Sequence, residues 1–183
     1  MESKLFTPVT FGPLTLRNRT IRSAAFESMC PGNAPSDMLL DYHRSVAAGG
    51  IGMTTVAYAA VTQSGLSFDR QLWMRPEIIP GLRRLTDAIH AEGAAAGIQL
   101  GHCGNMSHKS ICGCMPVGAS SGFNLYSPTF VRGLRADELP EMARAYGRSV
   151  NLAREAGFDS VEIHAGHGYL ISQFLSPSTN HRK

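Results

Sequence analysis

Three side chains that can donate a proton or a hydrogen bond fall close together near the end of the chain. They are His164, His167 and Tyr169, and two glycines separate them in the run Ala-Gly-His-Gly-Tyr. Because glycine permits sharp turns, this loop can direct His167 and Tyr169 back toward His164. Such a group is typical of general acid catalysis or of carbonyl polarisation. The alternative is that both histidines are polar loop residues without a catalytic role.

The segment before this loop has the alternation of a β-strand. Ser160, Glu162 and His164 point to one side, and Val161 and Ile163 point to the other. Strands buried on both faces are normally apolar throughout, so a polar face that leads to His164 indicates a function. Glu162 either acts through a hydrogen bond to another site residue or completes a buried polar network, and the sequence does not choose between them.

Two further groups of polar residues are candidates for a site. Gln99 lies near a predicted strand end, where its amide could bind the imide of a heterocycle or simply a neighbouring loop. A second group resembles a zinc site: His102, Cys103, His108, Cys112 and Cys114. Its spacings match no familiar ligand pattern, so we predict no metal site. A metal hydrolase using these cysteines with His164 and His167 is a minor alternative.

Helices and strands alternate along the chain. Capping residues, prolines and glycine stops mark three helices, and apolar or alternating runs mark four strands. The predicted order is a strand at 20–25, a helix from 36 or 37 to Gly49-Gly50, a strand at 51–56, a helix from Pro80 to Gly93, a strand at 95–100, a helix at 137–156 and a strand at 160–164. Segment 101–136 is predicted to be a long irregular loop, which in a compact domain is usually functional.

Four strands separated by helices indicate parallel βαβ units in an α/β fold. No Gly-x-Gly-x-x-Gly follows the first strand, which removes the main support for a doubly wound dinucleotide-binding sheet. The long loops follow the carboxyl ends of strands, as in a (β/α)8 TIM barrel. We therefore predict that residues 1–183 supply about the first four βα units of one such barrel, with 1–19 as a cap segment and 20–183 as the units.

The composition excludes several other classes of protein. With 43% hydrophobic and 17% charged residues, the 183-residue chain is globular rather than disordered. A net charge of +3 without a run of five like charges argues against nucleic-acid or anionic-membrane partners. The longest apolar run, 56–61, is too short to span a bilayer. No signal-like segment opens the chain and only four cysteines occur, so we expect a cytoplasmic location.

Several motifs along the chain occur together in one known family. They are 5–8 (LFTP), 14–19 (LTLRNR), 98–102 (IQLGH), 157–170 (GFDSVEIHAGHGYL), 173–177 (QFLSP) and 180–182 (NHR). Through these motifs the whole chain resembles the Old Yellow Enzyme family, whose members are FMN-dependent oxidoreductases on a (β/α)8 barrel. Segments 23–27 (SAAFE) and 122–127 (GFNLYS) resemble its bacterial NADH:flavin oxidoreductase branch.

The resemblance implies roles for individual residues. His164 and His167 would donate hydrogen bonds to the carbonyl oxygen of an α,β-unsaturated substrate, and Tyr169 would supply a proton to its α-carbon. FMN would lie over the barrel mouth, with Gln99 at its pyrimidine edge, and NAD(P)H would be the transient hydride donor. The implied cofactor-binding residues are Ser23, Ala24, Ala25, Phe26, Ala60 and Gln99.

Two departures from the family pattern affect these expectations. Phe26 stands where many members place Thr or Cys beside the flavin. The family's FMN phosphate site and a basic residue near the flavin ring belong to the second half of the barrel, past Lys183. A site made by both halves predicts pairing with a C-terminal half or a homo-oligomer.

The resemblance predicts an FMN-dependent oxidoreductase that reduces the C=C bond of small α,β-unsaturated carbonyl compounds with NAD(P)H. The alternative is an incomplete half-barrel that has no activity of its own and associates with a partner or with itself. Four parallel strands leave two open edges and an uncovered inner face, which favour association.

Overall fold

The computed structural model describes residues 3–183 as an alternation of strands and helices. In chain order the elements are β1 Val9–Phe11, β2 Leu14–Leu16, β3 Ile21–Arg22, α1 Asp37–Ala48, β4 Met53–Ala60, β5 Leu72–Trp73, α2 Ile79–Ala91, β6 Ala95–Gly101, α3 Lys109–Cys112, β7 Val117–Gly118, β8 Gly122–Asn124, β9 Thr129–Gly133, α4 Leu139–Glu155, β10 Ser160–Ile163 and α5 Leu170–Leu175. The three long helices and four main strands predicted from the sequence are all present.

The main sheet is parallel, and its strand order follows the chain. β3 pairs with β4, β4 with β6, and β6 with β10, while the short β5 pairs with the end of β4. α1, α2 and α4 connect these strands, and each packs against the next. A doubly wound sheet reverses its strand order at a switch point, whereas this sequential order is that of a βα barrel.

The core lies between the sheet and its helices. Leu39 of α1, Leu82 and Ile89 of α2, and Ile98 of β6 are fully buried there. Side chains of this size stabilise the fold by about 1.5–3 kcal/mol each when they leave water. The other face of the sheet is more open, because Gln99 there is only partly buried. The predicted alternation is therefore present in β6, whereas in β10 Val161 packs against this core but Ile163 is 45% exposed.

Local signals explain where the helices begin and end. Ser36 caps α1, and its Oγ accepts a hydrogen bond from the N–H of Leu39 at 3.2 Å. Pro140 lies in the first turn of α4, where its missing N–H has no cost. Gly157 follows α4 with a φ of +90°, a conformation that strongly favours glycine.

The prediction of an irregular loop at 101–136 was wrong. This segment contains α3 and a small sheet in the order β7-β9-β8, with β7 parallel and β8 antiparallel to β9. The predicted first strand, 20–25, is also shorter, since only β3 pairs with β4 and the chain then leaves the sheet. The segment before it forms a β1–β2 hairpin that turns at Gly12, whose φ is +55°.

The amino end of the sheet is closed by the residues that follow this hairpin. The Arg17 guanidinium donates to the carbonyl oxygens of Ala47, Ile51 and Glu92, which lie at the ends of α1 and α2 and before β4. Asn18 donates to the carbonyl of Gly50. Helix C-termini carry partial negative charge and carbonyls without helical partners, and the Arg17 cation satisfies both.

Candidate active site

A cavity of about 200 Å³ opens at the carboxyl ends of the parallel strands. His164, His167 and Tyr169 form one side of it, the segment after β3 forms another, and Gln99 contributes from the inner face of the sheet. This is the end at which parallel βα barrels build their active sites. The three chemically active residues singled out in the sequence are therefore brought together in one cavity.

The two histidines contact each other directly. His167 Nδ1 lies 3.0 Å from His164 Nε2, and the ring of Tyr169 stands edge-on to His164 with their centroids 5.0 Å apart. His167 has a φ of +56°, and Gly168 beside it has +67°. The glycine-rich loop thus makes the sharp return that the sequence predicted. His164 is nearly buried and His167 is exposed, so the pair spans the cavity wall from inside to outside.

Tyr58 supports this group from below. Its ring lies edge-on to Tyr169 at 5.4 Å and to His164 at 6.0 Å, and its hydroxyl donates to the carbonyl of Gly65. The ring fits because Gly101 has no side chain, since a Cβ there would lie 2.3 Å from the Tyr58 ring. Tyr58 was not predicted from the sequence as a site residue, and its position near the end of a predicted strand was the only indication of such a role.

Burial keeps His164 and Tyr169 neutral. Desolvation, and to a lesser extent the neighbouring His167, lower the pKa of His164, so its ring is uncharged at neutral pH. Desolvation also raises the pKa of Tyr169, whose phenol therefore retains its proton. The neutral imidazole of His164 has one N–H and the phenol one O–H, and both can donate to an oxygen or carbon that gains negative charge.

The segment between β3 and α1 supplies a wall suited to a flat aromatic ring. Ala24, Ala25 and Phe26 line the cavity. Within residues 3–183 their backbone N–H and C=O groups make no hydrogen bond, and the small side chains leave this backbone accessible. Unpaired backbone groups beside a smooth surface, with the carboxamide of Gln99 nearby, fit the polar edge of an isoalloxazine ring. These residues therefore fit FMN.

The remaining predicted cofactor residues lie at different depths. Gln99 lines the cavity and donates to the carboxylate of Glu162, its register partner on β10. Ser23 is exposed directly after β3, outside the cavity lining. Ala60 is fully buried at the end of β4 and packs beside Tyr58. FMN contacts by Ser23 and Ala60 stay predictions.

The structure places Glu162 beside another predicted site residue. Its side chain lies on the inner face of the sheet, where its carboxylate accepts a hydrogen bond from the Gln99 amide. The hydrogen bond to Gln99 is the interaction observed, and it orients a predicted cofactor residue. Both strands expose this face because it is the interior side of a barrel wall.

The histidines and cysteines between 102 and 114 have structural contacts. His102 is fully buried, accepts from the N–H of Gly104 and contacts Ser64 Oγ. Cys112 and Cys114 lie with their sulfurs 3.6 Å apart. Across residues 3–183, no three His, Cys, Asp or Glu side chains are placed to hold a metal ion.

Phe68, Arg70 and Glu27 are further cavity residues that were not singled out in the sequence. Phe68 stacks on Phe26 with ring centroids 4.5 Å apart, and Arg70 lies beside it on the cavity wall. Glu27 also lines the cavity, although its carboxylate is almost fully buried. The sequence pointed to Glu27 only through its place next to Phe26, because two of its partners, His43 and Ala57, lie 16 and 30 positions away.

The sequential parallel βα units and the cavity at their carboxyl ends define part of a βα barrel, and the cavity wall fits a flavin ring. A family model described as the NADH:flavin oxidoreductase / NADH oxidase family matches residues 4–183. The chain belongs to this family, as its resemblance to the Old Yellow Enzymes predicted. FMN and a nicotinamide nucleotide are thus the expected cofactors, in agreement with the sequence prediction.

Individual relatives agree with this assignment. The chain is 43% identical over 178 residues to a 4,4'-dithiodibutanoate disulfide reductase of Rhodococcus erythropolis, covering 97% of this chain and 44% of that protein. It is 37% identical over 185 residues to an NADPH dehydrogenase of Listeria monocytogenes, covering 99% and 54%. The chain therefore spans about half the length of the curated relatives it matches.

A solved structure confirms the fold. The old yellow enzyme homologue of Zymomonas mobilis superimposes with a TM-score of 0.90 at 29% identity, over 98% of this chain and 53% of that one. The predicted TIM-barrel fold, with this chain as its first part, is correct. None of the helices described between residues 3 and 183 is long and apolar enough to cross a membrane.

Proposed function

We propose that the complete gene product is an FMN-dependent oxidoreductase that reduces the C=C bond of α,β-unsaturated carbonyl compounds with NAD(P)H. The observation that supports this most is the contact of His164 with His167 beside Tyr169, opposite the open backbone of Ala24 and Phe26. Residues 1–183 would form the first half of its barrel. Bound FMN would supply the hydride that adds to the β-carbon of the substrate.

The histidine pair would polarise the carbonyl. A substrate oxygen inserted between His164 Nε2 and His167 Nδ1 would replace the hydrogen bond that the rings now make to each other at 3.0 Å. The ring that now donates would turn its N–H to the oxygen, and the ring that now accepts would donate in the tautomer whose proton lies on the facing nitrogen, as the oxygen becomes an enolate. Donors placed in this way stabilise a developing oxyanion by about 3–4 kcal/mol each.

Tyr169 would supply the proton that completes the reduction. Its phenol lies at the same wall as the histidines, and the raised pKa keeps the proton on its oxygen until a strongly basic carbon forms. The α-carbon of an enolate is such a base. General acids in this position contribute about 10²–10⁴-fold in rate.

The test is made on the purified complete gene product. We expect stoichiometric FMN, bleaching of the flavin by NAD(P)H and its reoxidation by 2-cyclohexenone. Tyr169→Phe should leave FMN content and bleaching unchanged while it slows reoxidation by the enone. A product without flavin, or a flavin that NAD(P)H does not reduce, contradicts the proposal.

A disulfide substrate is the second candidate. One relative is described as a 4,4'-dithiodibutanoate disulfide reductase at 43% identity, and this disulfide should be assayed beside the enone. Here the exposed Arg70 on the cavity wall favours an anionic substrate. Turnover of the disulfide without turnover of enones would select this candidate.

Association is the role that fits residues 1–183 alone. A groove of about 450 Å³ runs along α4 and α5 beside β10, and its lining is almost entirely apolar. Its residues are Leu139, Met142, Ala143, Tyr146, Ile163, Leu170, Ile171 and Phe174. We propose that the second barrel half covers it. Size-exclusion chromatography of residues 1–183 should show self-association, and a well-folded monomer would contradict the proposal.

A further inference from the structure

The carboxylate of Glu27 makes three polar contacts directly behind the segment that fits FMN. Oε1 lies 2.9 Å from Arg22 Nη1 and 3.0 Å from His43 Nε2. Oε2 accepts the N–H of Ala57 at 3.1 Å. The Glu27 side chain is only 5% exposed, and Glu27 follows Phe26 immediately. Its partners come from β3, α1 and β4, so three elements converge on one carboxylate.

Each partner is itself held in place. Arg22 also donates to the carbonyl of Thr55 at 2.8 Å. His43 is fully buried, with Nδ1 2.8 Å from Thr54 Oγ1. His43 Nε2 donates to the carboxylate, which can only accept, while its Nδ1 hydrogen-bonds the Thr54 hydroxyl. The Arg22 guanidinium and the Glu27 carboxylate form the ion pair of this cluster.

The third contact depends on an irregularity in the sheet. Between Val56 and Ala59 the register of β4 against β6 shifts, so that two residues of β4 lie opposite Gln99 alone. Such a bulge disrupts the ladder locally and bends the strand. Ala57 lies in this bulge, and its N–H is turned to Glu27. The end of the FMN-facing segment is thereby fixed to the middle of the sheet.

Stability alone does not account for this cluster. Burying an ion pair costs solvation, and an apolar replacement of similar volume is often as stable. The position of the pair is more specific: Glu27 lines the cavity, whereas Arg22 does not. The ion pair therefore joins a residue of the cavity wall to a residue outside the cavity lining.

We propose that Glu27 is a positioning residue that holds the 23–26 segment against the flavin, and that the Arg22–Glu27 pair sets the reduction potential of the bound FMN. This inference rests on the proposed function, because it requires FMN at that wall. A negative charge near the ring disfavours the electron-rich reduced flavin, and a positive charge favours it.

The potential of bound FMN in the complete gene product tests the electrostatic part. Glu27→Gln should shift it to more positive values and Arg22→Gln to more negative values. A structural disturbance alone would move both variants in the same direction. Arg84→Gln is the matched control, since Arg84 pairs with Asp37 on the exposed side of α1 and α2 and should leave the potential unchanged. Shifts of equal sign, or no shift in either variant, overturn this part.

The affinity of the apoprotein for FMN tests the positioning part. Glu27→Asp keeps the charge but shortens the side chain, so it should weaken FMN binding about tenfold while the potential stays near that of the wild type. Unchanged affinity would overturn the positioning role. If a single charge-removing variant does not fold, the double variant Arg22→Gln/Glu27→Gln replaces it. We expect this double variant to bind FMN more weakly than the wild type and to show a smaller shift in potential than any single variant that folds.

The wild type separates this inference from the proposed function. A wild type without FMN, or without enone and NAD(P)H activity, refutes the function. A wild type that binds FMN and reduces enones, with variants that fail the tests above, refutes the role of Glu27 alone.

Discussion

The two ends of the parallel sheet use polar side chains and backbone groups in opposite ways. At the amino end, Arg17 and Asn18 reach backbone carbonyls and leave the ends of α1 and α2 satisfied. At the carboxyl end, Ala24 and Phe26 have backbone groups without hydrogen-bond partners in the described range 3–183, and His167 adopts a positive φ. Polar groups at one end therefore stabilise the fold, while those at the other end remain available to a ligand.

Because of this difference, substitutions at the amino end and at the carboxyl end should separate effects on stability from effects on the reaction. Arg17 binds carbonyls that are fixed by the helices, so its removal should affect folding only. His167 is exposed and contacts one other ring, so its removal should affect the reaction only. His102 and Ser36 combine features of both groups. They hold loops at the carboxyl end by hydrogen bonds, but they do not line the cavity.

The largest expected effect is on the reaction. His167→Ala in the complete gene product should lower kcat for enone reduction by about 10²–10³-fold, because one oxyanion donor is lost. The denaturation midpoint should not change, since the side chain is exposed. Steady-state kinetics and urea unfolding measure both quantities. His108→Ala, an exposed histidine outside the cavity lining, is the control, and equal losses in both variants would contradict the assignment.

A pH effect on stability should arise at the carboxyl end. Burial lowers the pKa of His102 to about 4 from 6.5. Between these values the unfolded chain binds a proton that the folded chain excludes, so stability is full above pH 6.5 and falls as the pH drops toward 4. The loss should reach about 3 kcal/mol. Urea unfolding at several pH values should show it in the wild type, and His102→Gln should remove this part of the slope. An unchanged slope would show that His102 is not responsible.

Arg17→Ala should destabilise the fold at the amino end of the parallel sheet. It removes three hydrogen bonds from a charged donor to carbonyls at the ends of helices, and the free energy of unfolding should fall by about 2 kcal/mol. The kcat of the folded fraction should stay constant. Arg84→Ala, which breaks only the exposed pair with Asp37, should cost less than about 1 kcal/mol. A loss of activity in folded Arg17→Ala would show that the two ends are coupled.

The smallest effect tests how far the carboxyl-end loop contributes to stability. Ser36 accepts from Leu39 and donates to the carbonyl of Met29, so it joins the cap of α1 to the loop after β3. Ser36→Ala should cost about 1 kcal/mol, and Ser36→Thr should restore it because threonine keeps the hydroxyl. A variant as stable as the wild type would mean that solvent replaces both bonds.

The sequence predicted those features whose causes are local. Ser36, Pro140 and Gly157 mark helix ends through effects within one turn, and the helices predicted from signals of this kind are present in the structure. The return of the loop at His167 also follows from the neighbouring glycines. The small sheet in segment 101–136 was missed because its strands are two to five residues long and mix exposed aromatic with polar side chains, as at Phe123 and Phe130.

Features that depend on sheet register could not be read from the sequence. Glu162 meets Gln99 because β10 pairs with β6 in one particular register. Glu27 meets His43 and Ala57 because β3, α1 and β4 pack in one arrangement and β4 has a bulge. Neither spacing nor residue type alone indicates such contacts, since they join residues that are 16 to 63 positions apart.

The sequential order of the parallel strands also bears on how the chain acquires its structure during synthesis. Ile21 of β3 pairs with Met53 of β4, and Met53 pairs with Ala95 of β6. Apart from the two-residue β5, each strand of the main sheet therefore docks on the strand that precedes it in the chain. The loop that must close is about 30 to 60 residues long at each step, and the entropic cost of closure grows only slowly with length. Strand addition can therefore keep pace with a ribosome, which adds about 5–20 residues per second. Vectorial assembly from the first βα unit onward is the folding route that this topology favours.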